Sequence, residues 1–379
     1  MSNKNNIKYQ ISFLPWLRID EEISIGPVKF ISYEKFKKLN DFPQTIYDWL
    51  DKYFSRYHCV DLEGNLIKMP TEFITICYVK EPDLRPRDRE DRELIWNVTK
   101  ALYFAFVCND LLNLSKSGEI ENAQIFELFF QNFDPDNNFI AFGNSSITFR
   151  DSVSFLKPPS LHFFNNITFN NFDQDTLKAF DLLIKSNDNK LKNRIFRSLQ
   201  WFWLCHIWRD YFSDLIKIVM MATAFEILLN FPNRASKKKF FADKLNEKIS
   251  TSEFKKKKRR INKKEYSYFL AGWWGWDFYH LRNKIVHGDK IDEGELIYIE
   301  KEPDENGYWH NPLIITYLMV ADAIFCELIL RELYELEFKM SIKFNILFNI
   351  LHEKLEWIES KKNIPGFKIE TDVYGYDKE

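Results

Sequence analysis

The chain has 379 residues, which is long enough for two domains that each bury a core. Its 53 lysines and arginines nearly balance 55 aspartates and glutamates, which leaves a formal net charge of −2. This balance excludes a protein that attracts nucleic acid over its whole surface, so any such attraction must be local.

The first half of the chain mixes strand and helix patterns. Short runs rich in β-branched and aromatic residues predict strands at residues 7–13, 23–33, 73–79, 146–156 and 161–169. Apolar residues recur with helical spacing at residues 33–57 and 89–114. These patterns predict a mixed α/β domain over residues 1–173, within an α+β protein.

Helical periodicity dominates the second half. It predicts helices at residues 175–186, 190–209, 211–230, 238–249, 274–287, 312–338 and 342–360, with Pro312 in the first turn of its helix. Residues 288–311 are rich in Asp, Glu and Gly and predict a loop with a short strand at Ile297–Ile299. We therefore expect an all-α helical bundle over residues 174–365 and a loose tail at residues 366–379.

The cysteines and the apolar segments indicate a cytoplasmic protein without a cofactor. The 5 cysteines include no CxxC pair, which argues against a disulfide framework and against a zinc site. They are Cys59, Cys77, Cys108, Cys205 and Cys326. The N-terminus has no apolar export signal, and charged residues interrupt the longest apolar runs, at residues 215–231 and 313–330. We expect core helices there, and no membrane contact.

An arginine and a histidine, Arg282 and His287, lie near the end of the helix predicted at residues 274–287 and are followed by Gly288. At about 100° per residue the two side chains point about 140° apart around the helix, whereas Asn283 shares a stripe with His287. One helix therefore presents the pair poorly to one small ligand. Gly288 is expected to end the helix and to leave His287 in its last turn.

The string Arg-Asn-Lys-Ile-Val-His-Gly at residues 282–288, preceded by Asp277 and Tyr279, resembles the Arg-X4-6-His signature of HEPN domains. It is most similar to the Apea-like HEPN group, which is associated with prokaryotic defence against phage. The resemblance covers roughly residues 190 to 340. It implies a metal-independent ribonuclease that dimerises, so that two copies of the motif line one cleft.

The residue types suit the chemistry that this resemblance implies. His287 would transfer protons, because imidazole titrates near neutral pH. Arg282 would stabilise charge on the phosphoryl group through its paired donors, and Asn283 would hold the phosphate or the histidine. Alone, an arginine and a histidine at this spacing would more often cap a helix and pair with a neighbour. The surrounding match favours the catalytic interpretation.

A single acid, Glu226, interrupts the apolar stretch at residues 215–229 of the helix predicted at residues 211–230. A carboxylate in such a place is costly unless it is paired. The run Ala-Phe-Glu-Ile-Leu-Leu at residues 224–229 resembles the helix of Apea-like domains that supplies an acid beside the motif arginine. Glu226 is thus expected to orient Arg282, and a glutamate on the helix surface is the alternative.

A basic tract precedes the motif helix, with eight positive charges among the ten residues 255–264. A block of this kind usually forms a solvated loop, but its position makes phosphate binding plausible. The RNA-binding candidates are Lys255, Lys256, Lys257, Lys258, Arg259 and Arg260, together with Lys284 in the motif. The aromatic residues that follow, Trp273, Trp274, Trp276 and Phe278, are expected to fill a core and not to stack on bases.

These expectations describe a homodimeric endoribonuclease that acts in anti-phage defence by abortive infection, or as a toxin in a stress response. By resemblance its products carry a 2′,3′-cyclic phosphate and a 5′-hydroxyl, and a phage trigger or an antitoxin is a possible partner. By analogy the N-terminal domain senses the invader or restrains the nuclease. One alternative is a non-catalytic HEPN module that dimerises or binds RNA or nucleotides, with activity in a partner or in the N-terminal domain. Another is an adaptor that binds RNA through the basic tract without cutting it.

Overall fold

A computed structural model describes residues 9–55, 57–60, 65–68, 70–85, 87–112, 123–135, 139–142, 148–150, 172–207, 213–233, 236–249, 256–291, 297–299, 314–334 and 355–356. The chain divides into two compact units. Of the described elements, the first unit contains nine strands, two short 3-10 helices and four α-helices, except for the last residues of the third α-helix. The second unit contains the other elements.

A seven-stranded antiparallel sheet forms the frame of the first unit, with the strand order β2-β3-β6-β1-β7-β8-β9. Its strands are β1 (Tyr9–Leu14), β2 (Ile23–Ile25), β3 (Val28–Ser32), β6 (Thr75–Val79), β7 (Phe129–Asp134), β8 (Phe139–Phe142) and β9 (Thr148–Arg150). A separate two-stranded ribbon pairs β4 (His58–Val60) with β5 (Leu66–Lys68).

The helices of this unit are α1 (Tyr33–Lys38), α2 (Gln44–Phe54), α3 (Arg89–Leu112) and α4 (Gln174–Lys185). Aromatic side chains of α1 and α2 pack against the sheet: the Phe54 ring lies 5.1 Å from that of Phe13 and 4.8 Å from that of Tyr33, centre to centre. The single helix predicted at residues 33–57 is wrong. Asn40 takes a left-handed backbone conformation with φ of 55°, and Pro43 precedes α2 and cannot donate a backbone hydrogen bond.

The second unit is mainly helical. Its helices are α5 (Asn189–Cys205), α6 (Asp214–Leu228), α7 (Lys237–Lys248), α8 (Leu270–His287) and α9 (Tyr317–Tyr334). Phe225 of α6 lies at their centre, with its ring centre 4.9 Å from that of Phe241, 5.9 Å from that of Phe278 and 5.6 Å from that of Phe325. These rings belong to α7, α8 and α9, so one aromatic core joins four of the helices.

Two antiparallel ribbons complete the second unit, β10 (Lys257–Ile261) with β11 (Lys264–Tyr268), and β12 (Ile297–Ile299) with β13 (Ile314–Thr316). The unit therefore differs from the all-α bundle that we predicted. The basic tract is a hairpin and not a loop, because Asn262 and Lys263 both adopt positive φ, 47° and 66°, as in the tight turns that suit twisted hairpins.

The α+β class and the strand at Ile297–Ile299 are confirmed. The helix predicted at residues 312–338 is wrong at its start, since Ile314–Thr316 pairs with β12. The strand predicted at residues 161–169 and the tail at residues 366–379 lie outside the described residues, as does the helix at residues 342–360 except for residues 355–356. No helix in the described ranges is long and apolar enough to cross a bilayer.

The change from the first unit to the second comes after α4, whereas we placed it at residue 173. The backbone N–H of Gly26, between β2 and β3, donates a hydrogen bond of 2.8 Å to the Asp181 carboxylate of α4. Gly26 itself lies against Ile184, which a β-carbon at position 26 would approach to 2.6 Å. This close approach ties α4 to the sheet.

Candidate active site

The motif lies at the exposed end of a helix that is otherwise buried. In α8 the aromatic side chains Trp273, Trp274, Trp276 and Phe278 are each at most 6% exposed, so the prediction that they fill a core is confirmed. In the last turn Val286 is 50% exposed and His287 is also exposed. A buried first part fixes the direction of the helix, while its last turn faces solvent.

Gly288 ends α8, as the sequence predicted. It takes the left-handed conformation with φ of 76°, which glycine adopts without steric cost. The next N–H, of Asp289, donates to the carbonyl of Lys284 at 3.0 Å and so satisfies one of the last free carbonyls of the helix.

Two glycines on α8 bring α7 close to it. A β-carbon at Gly275 would lie 2.6 Å from Cδ1 of Leu245 and 3.4 Å from the ring of Phe241, both on α7. A β-carbon at Gly272 would lie 3.1 Å from the backbone carbonyl oxygen of Ala242, also on α7. A side chain at either position would have to displace these atoms of α7, so the two glycines allow α7 and α8 to pack closely.

Glu226 of α6 is the hub of the site. Its Oε1 lies 3.5 Å from Nη2 of Arg282, and the two side chains are 19% and 20% exposed. Its Oε2 accepts a hydrogen bond of 2.6 Å from the ammonium of Lys237, in the first turn of α7. The Tyr279 hydroxyl also donates to Oε1. The structure thus brings Glu226 and Arg282 together and adds two partners that we did not predict.

Tyr279 is held in place by its ring. It is 1% exposed, and its ring stacks on that of Phe231 with centres 5.8 Å apart. Burial raises the pKa of the Tyr279 hydroxyl well above its usual range, and the hydrogen bond to Glu226 and the carboxylate charge raise it further. The hydroxyl therefore stays protonated and acts as a donor. The helical spacing of three residues between Tyr279 and Arg282 was the one sequence signal for their shared face.

The hydrogen bonds of the Arg282 guanidinium are long or incomplete. Its Nη1 donates a long hydrogen bond of 3.3 Å to Oδ1 of Asn283, and its guanidinium carbon lies 5.4 Å from the ring centre of Tyr279. Its Nε is buried and has no hydrogen-bond partner among the described residues. The 3.5 Å contact with Glu226 is longer than the 2.7–2.9 Å that is usual for a charge-assisted hydrogen bond. The guanidinium is oriented but not saturated.

No protein-family model, curated protein or solved structure matches this chain. Among the residues that the structure describes, no group of three or more His, Cys, Asp and Glu side chains is placed to hold a metal ion. The geometry of the site and its motif are therefore the basis of the functional interpretation.

His287 lies apart from the cluster around Glu226. It is five residues after Arg282, about 7.5 Å further along the helix axis and about 140° around it. Lys284, in the same last turn, is half-buried and already makes other interactions. The site thus has two parts on α8, an oriented cation and an exposed imidazole.

The hairpin that contains the basic tract has two faces. On the inner face Arg259 lies over Trp273, and its Nη1 is 3.1 Å from Oδ2 of Asp277. On the outer face lie Lys258 and Arg260, both exposed, and Lys258 pairs with Glu265 at 2.9 Å. Arg259 is thus engaged within the protein, whereas the outer cations face solvent.

The other candidates of the tract take different places. The Lys256 ammonium lies 5.2 Å from the ring centre of Phe269, and the Lys257 carbonyl accepts a hydrogen bond of 2.9 Å from the indole N–H of Trp273. Lys255 lies outside the described residues. The tract therefore contributes both to the attachment of the hairpin and to its basic outer face.

Proposed function

We propose that this chain is a metal-independent endoribonuclease of the HEPN type, which acts as a homodimer in anti-phage defence or in a toxin-like stress response. The observation that carries the proposal is the contact between Arg282 and an acid from another helix, in which Nη2 of Arg282 lies 3.5 Å from Oε1 of Glu226. The same helix carries His287 at its exposed end. An oriented guanidinium and an accessible imidazole are the groups that this cleavage requires.

In the proposed reaction the ribose 2′-hydroxyl loses its proton and its oxygen attacks the adjacent phosphorus. The bond from phosphorus to the 5′-oxygen breaks, and that oxygen gains a proton. His287 moves protons in these steps, and Arg282 binds the phosphoryl oxygens on which charge accumulates. Asn283 contacts the phosphate or the histidine, and Glu226 orients the arginine. The products carry a 2′,3′-cyclic phosphate and a 5′-hydroxyl.

A second copy of the chain would complete the cleft. Arg282 and His287 point about 140° apart on α8, so one protomer presents them poorly to one phosphate. Val286, between them in sequence, is 50% exposed and is the most exposed large hydrophobic side chain in the described ranges. Burial of Val286 against its symmetry mate would bring two motif helices together and remove this apolar surface from water.

The basic residues would guide the RNA to this cleft. Lys258 and Arg260, on the outer face of the hairpin, attract phosphate without reading sequence, and we propose the same role for Lys255, Lys256 and Lys257 of the basic tract. Lys284 adds a positive charge in the last turn of α8. Arg259, by contrast, serves to hold the hairpin.

The test is cleavage of labelled RNA in buffer that contains EDTA. We expect His287→Ala and Arg282→Ala each to reduce the rate at least about 100-fold, since a placed proton-transfer group contributes about 10²- to 10⁴-fold. Arg85→Ala is the matched control, because Arg85 is an exposed arginine of the first unit that pairs with Asp83, and it should cleave like the unaltered protein. The RNA ends should be a cyclic phosphate and a 5′-hydroxyl.

Undiminished cleavage by His287→Ala would refute the assignment. Retained RNA binding with no cleavage by any form would instead indicate the adaptor or non-catalytic module. In cells, induced expression should be toxic and Arg282→Ala should relieve the toxicity.

A further inference from the structure

The carboxylate of Glu226 meets two cations at unequal distances. Lys237 makes a hydrogen bond of 2.6 Å to Oε2, whereas Nη2 of Arg282 stays 3.5 Å from Oε1. Tyr279 donates to the oxygen that faces the arginine. Both carboxylate oxygens therefore have a donor that is not Arg282.

We propose that Lys237 and Tyr279 are positioning residues that occupy Glu226, so that Arg282 is oriented by the acid and remains free to exchange it for an RNA phosphate. This inference rests on the part of the proposed function in which Arg282 binds a phosphate of RNA. In this role neither the Lys237 side chain nor the Tyr279 side chain contacts the RNA itself.

Without Lys237 and Tyr279, Glu226 and Arg282 could form a tighter pair with each other. A guanidinium and a carboxylate form their strongest contact with two parallel hydrogen bonds. An arginine held in that way would have to break both bonds before it could bind a phosphate. With Oε1 shared by Tyr279 and Oε2 taken by Lys237, Glu226 offers Arg282 only the longer contact. The arginine then leaves the acid at little cost.

Lys237 also compensates the negative charge of Glu226, which Arg282 alone would otherwise compensate. The Glu226 side chain is only 19% exposed, so loss of Lys237 would leave a largely buried carboxylate with one neighbouring cation. Arg282 would move onto it. The expected result of losing Lys237 is thus weaker binding of RNA, although Lys237 itself does not touch the phosphate.

The experiment compares substitutions of two lysines in the first turn of α7. Lys237→Met removes the charge and keeps the length, and Lys237→Arg keeps the charge. Lys239→Met is the matched control, because Lys239 pairs with Asp243 at 2.7 Å and not with Glu226. Affinity is measured by fluorescence anisotropy with a 2′-O-methyl RNA oligonucleotide, which lacks the hydroxyl needed for cleavage. Cleavage of ordinary RNA is measured in parallel.

We expect Lys237→Met to weaken oligonucleotide binding about tenfold, as for loss of a hydrogen bond to a charged group. The ratio kcat/KM for cleavage should fall by a similar factor. Lys237→Arg and Lys239→Met should stay within about twofold of the unaltered protein, as is usual for surface changes. Tyr279→Phe, which keeps the buried ring, should change affinity in the same direction as Lys237→Met.

A double-mutant cycle separates positioning from direct contact with RNA. If Lys237 acts through Glu226, Lys237→Met should have no further effect in a Glu226→Gln background. Additive effects would show that Lys237 binds phosphate itself and would overturn the inference. Equal losses in Lys237→Met and Lys239→Met would overturn it as well, because they would reflect net charge alone.

The outcomes for the two proposals are distinct. If the unaltered protein cleaves RNA but Lys237→Met binds and cleaves normally, the positioning role is refuted and the nuclease stands. If the unaltered protein binds the oligonucleotide with the expected dependence on Lys237 but never cleaves RNA, the nuclease is refuted and the positioning role stands. Absence of any binding by the unaltered protein refutes both.

Discussion

Arg259 of the β-hairpin lies over the indole of Trp273 in α8, with its guanidinium carbon 4.4 Å from the ring centre. The same arginine pairs with Asp277, one turn further along α8, at 3.1 Å. The indole N–H of Trp273 in turn donates to the carbonyl of Lys257. These three contacts attach the hairpin to the buried part of the motif helix.

Neighbouring arginines of this hairpin should therefore respond differently to substitution. We expect Arg259→Ala to lower the free energy of unfolding by about 1–3 kcal/mol, because it removes both the cation stacked on Trp273 and the 3.1 Å ion pair with Asp277. Arg260→Ala should change stability by less than about 0.5 kcal/mol. If the chain binds RNA as we propose, this substitution should also weaken the binding and reduce its salt dependence. Urea unfolding and anisotropy at several salt concentrations measure both. The opposite pattern would show that Arg259 is the RNA contact.

Lys100 predicts a pH dependence of stability in the first unit. It is 4% exposed in the middle of α3, and its ammonium has Asn97 at 3.5 Å and the Trp96 ring nearby. Burial lowers the pKa of Lys100 from 10.5 to about 7, although the charge of Glu93 opposes this shift. Between these two pH values the unfolded chain binds a proton that the folded chain does not. The contribution of this group to stability therefore rises with pH across that window.

Lys100→Met should remove the cost of burying this charge. We expect the free energy of unfolding to rise by about 2–4 kcal/mol at pH 6, with a gain that shrinks toward pH 10. Lys52→Met, at an exposed lysine of α2, is the control and should show no such trend. Urea unfolding at pH 6, 8 and 10 measures the gain. A gain independent of pH, or a loss at pH 6, would contradict the prediction.

Gly275 should tolerate no side chain while Leu245 faces it. We expect Gly275→Ala to lower the free energy of unfolding by about 1–3 kcal/mol, as for other overpacked cores, since its β-carbon would lie 2.6 Å from Cδ1 of Leu245. In a Leu245→Ala background, where that methyl is absent, the same change should cost clearly less. Thermal or urea unfolding of the four proteins in this cycle gives the coupling. Equal costs in both backgrounds would mean that the close approach of α7 and α8 is not what Gly275 provides.

Part of this architecture could be predicted from the sequence, because some signals are local. Apolar periodicity identified α8 and α6, and Gly288 marked the end of α8 because few other residues adopt its backbone conformation. The cost of a carboxylate in an apolar helix singled out Glu226, and the family resemblance paired it with Arg282, which it contacts in the structure. Apart from that pairing, each of these inferences used residues within one element.

The elements that sequence reasoning missed depend on contacts between distant segments. The basic tract looked like a solvated loop because its inward positions include Arg259, whose partners Trp273 and Asp277 lie beyond the hairpin. Lys237 was not connected to Glu226 because only the packing of α7 against its neighbours makes them adjacent. Local patterns do not contain such information.

The way α8 is built has a consequence for genetics. Its buried aromatic part contacts α6, α7 and the hairpin, and the same helix carries Arg282 and His287. If expression of the chain is toxic, as the proposed function predicts, a selection for surviving cells should therefore recover substitutions at Trp273 or Phe278 as readily as at the motif itself. Immunoblots of the survivors would separate the two groups. Substitutions in the core lower the abundance of the protein, whereas substitutions in the exposed last turn of α8 leave its abundance unchanged.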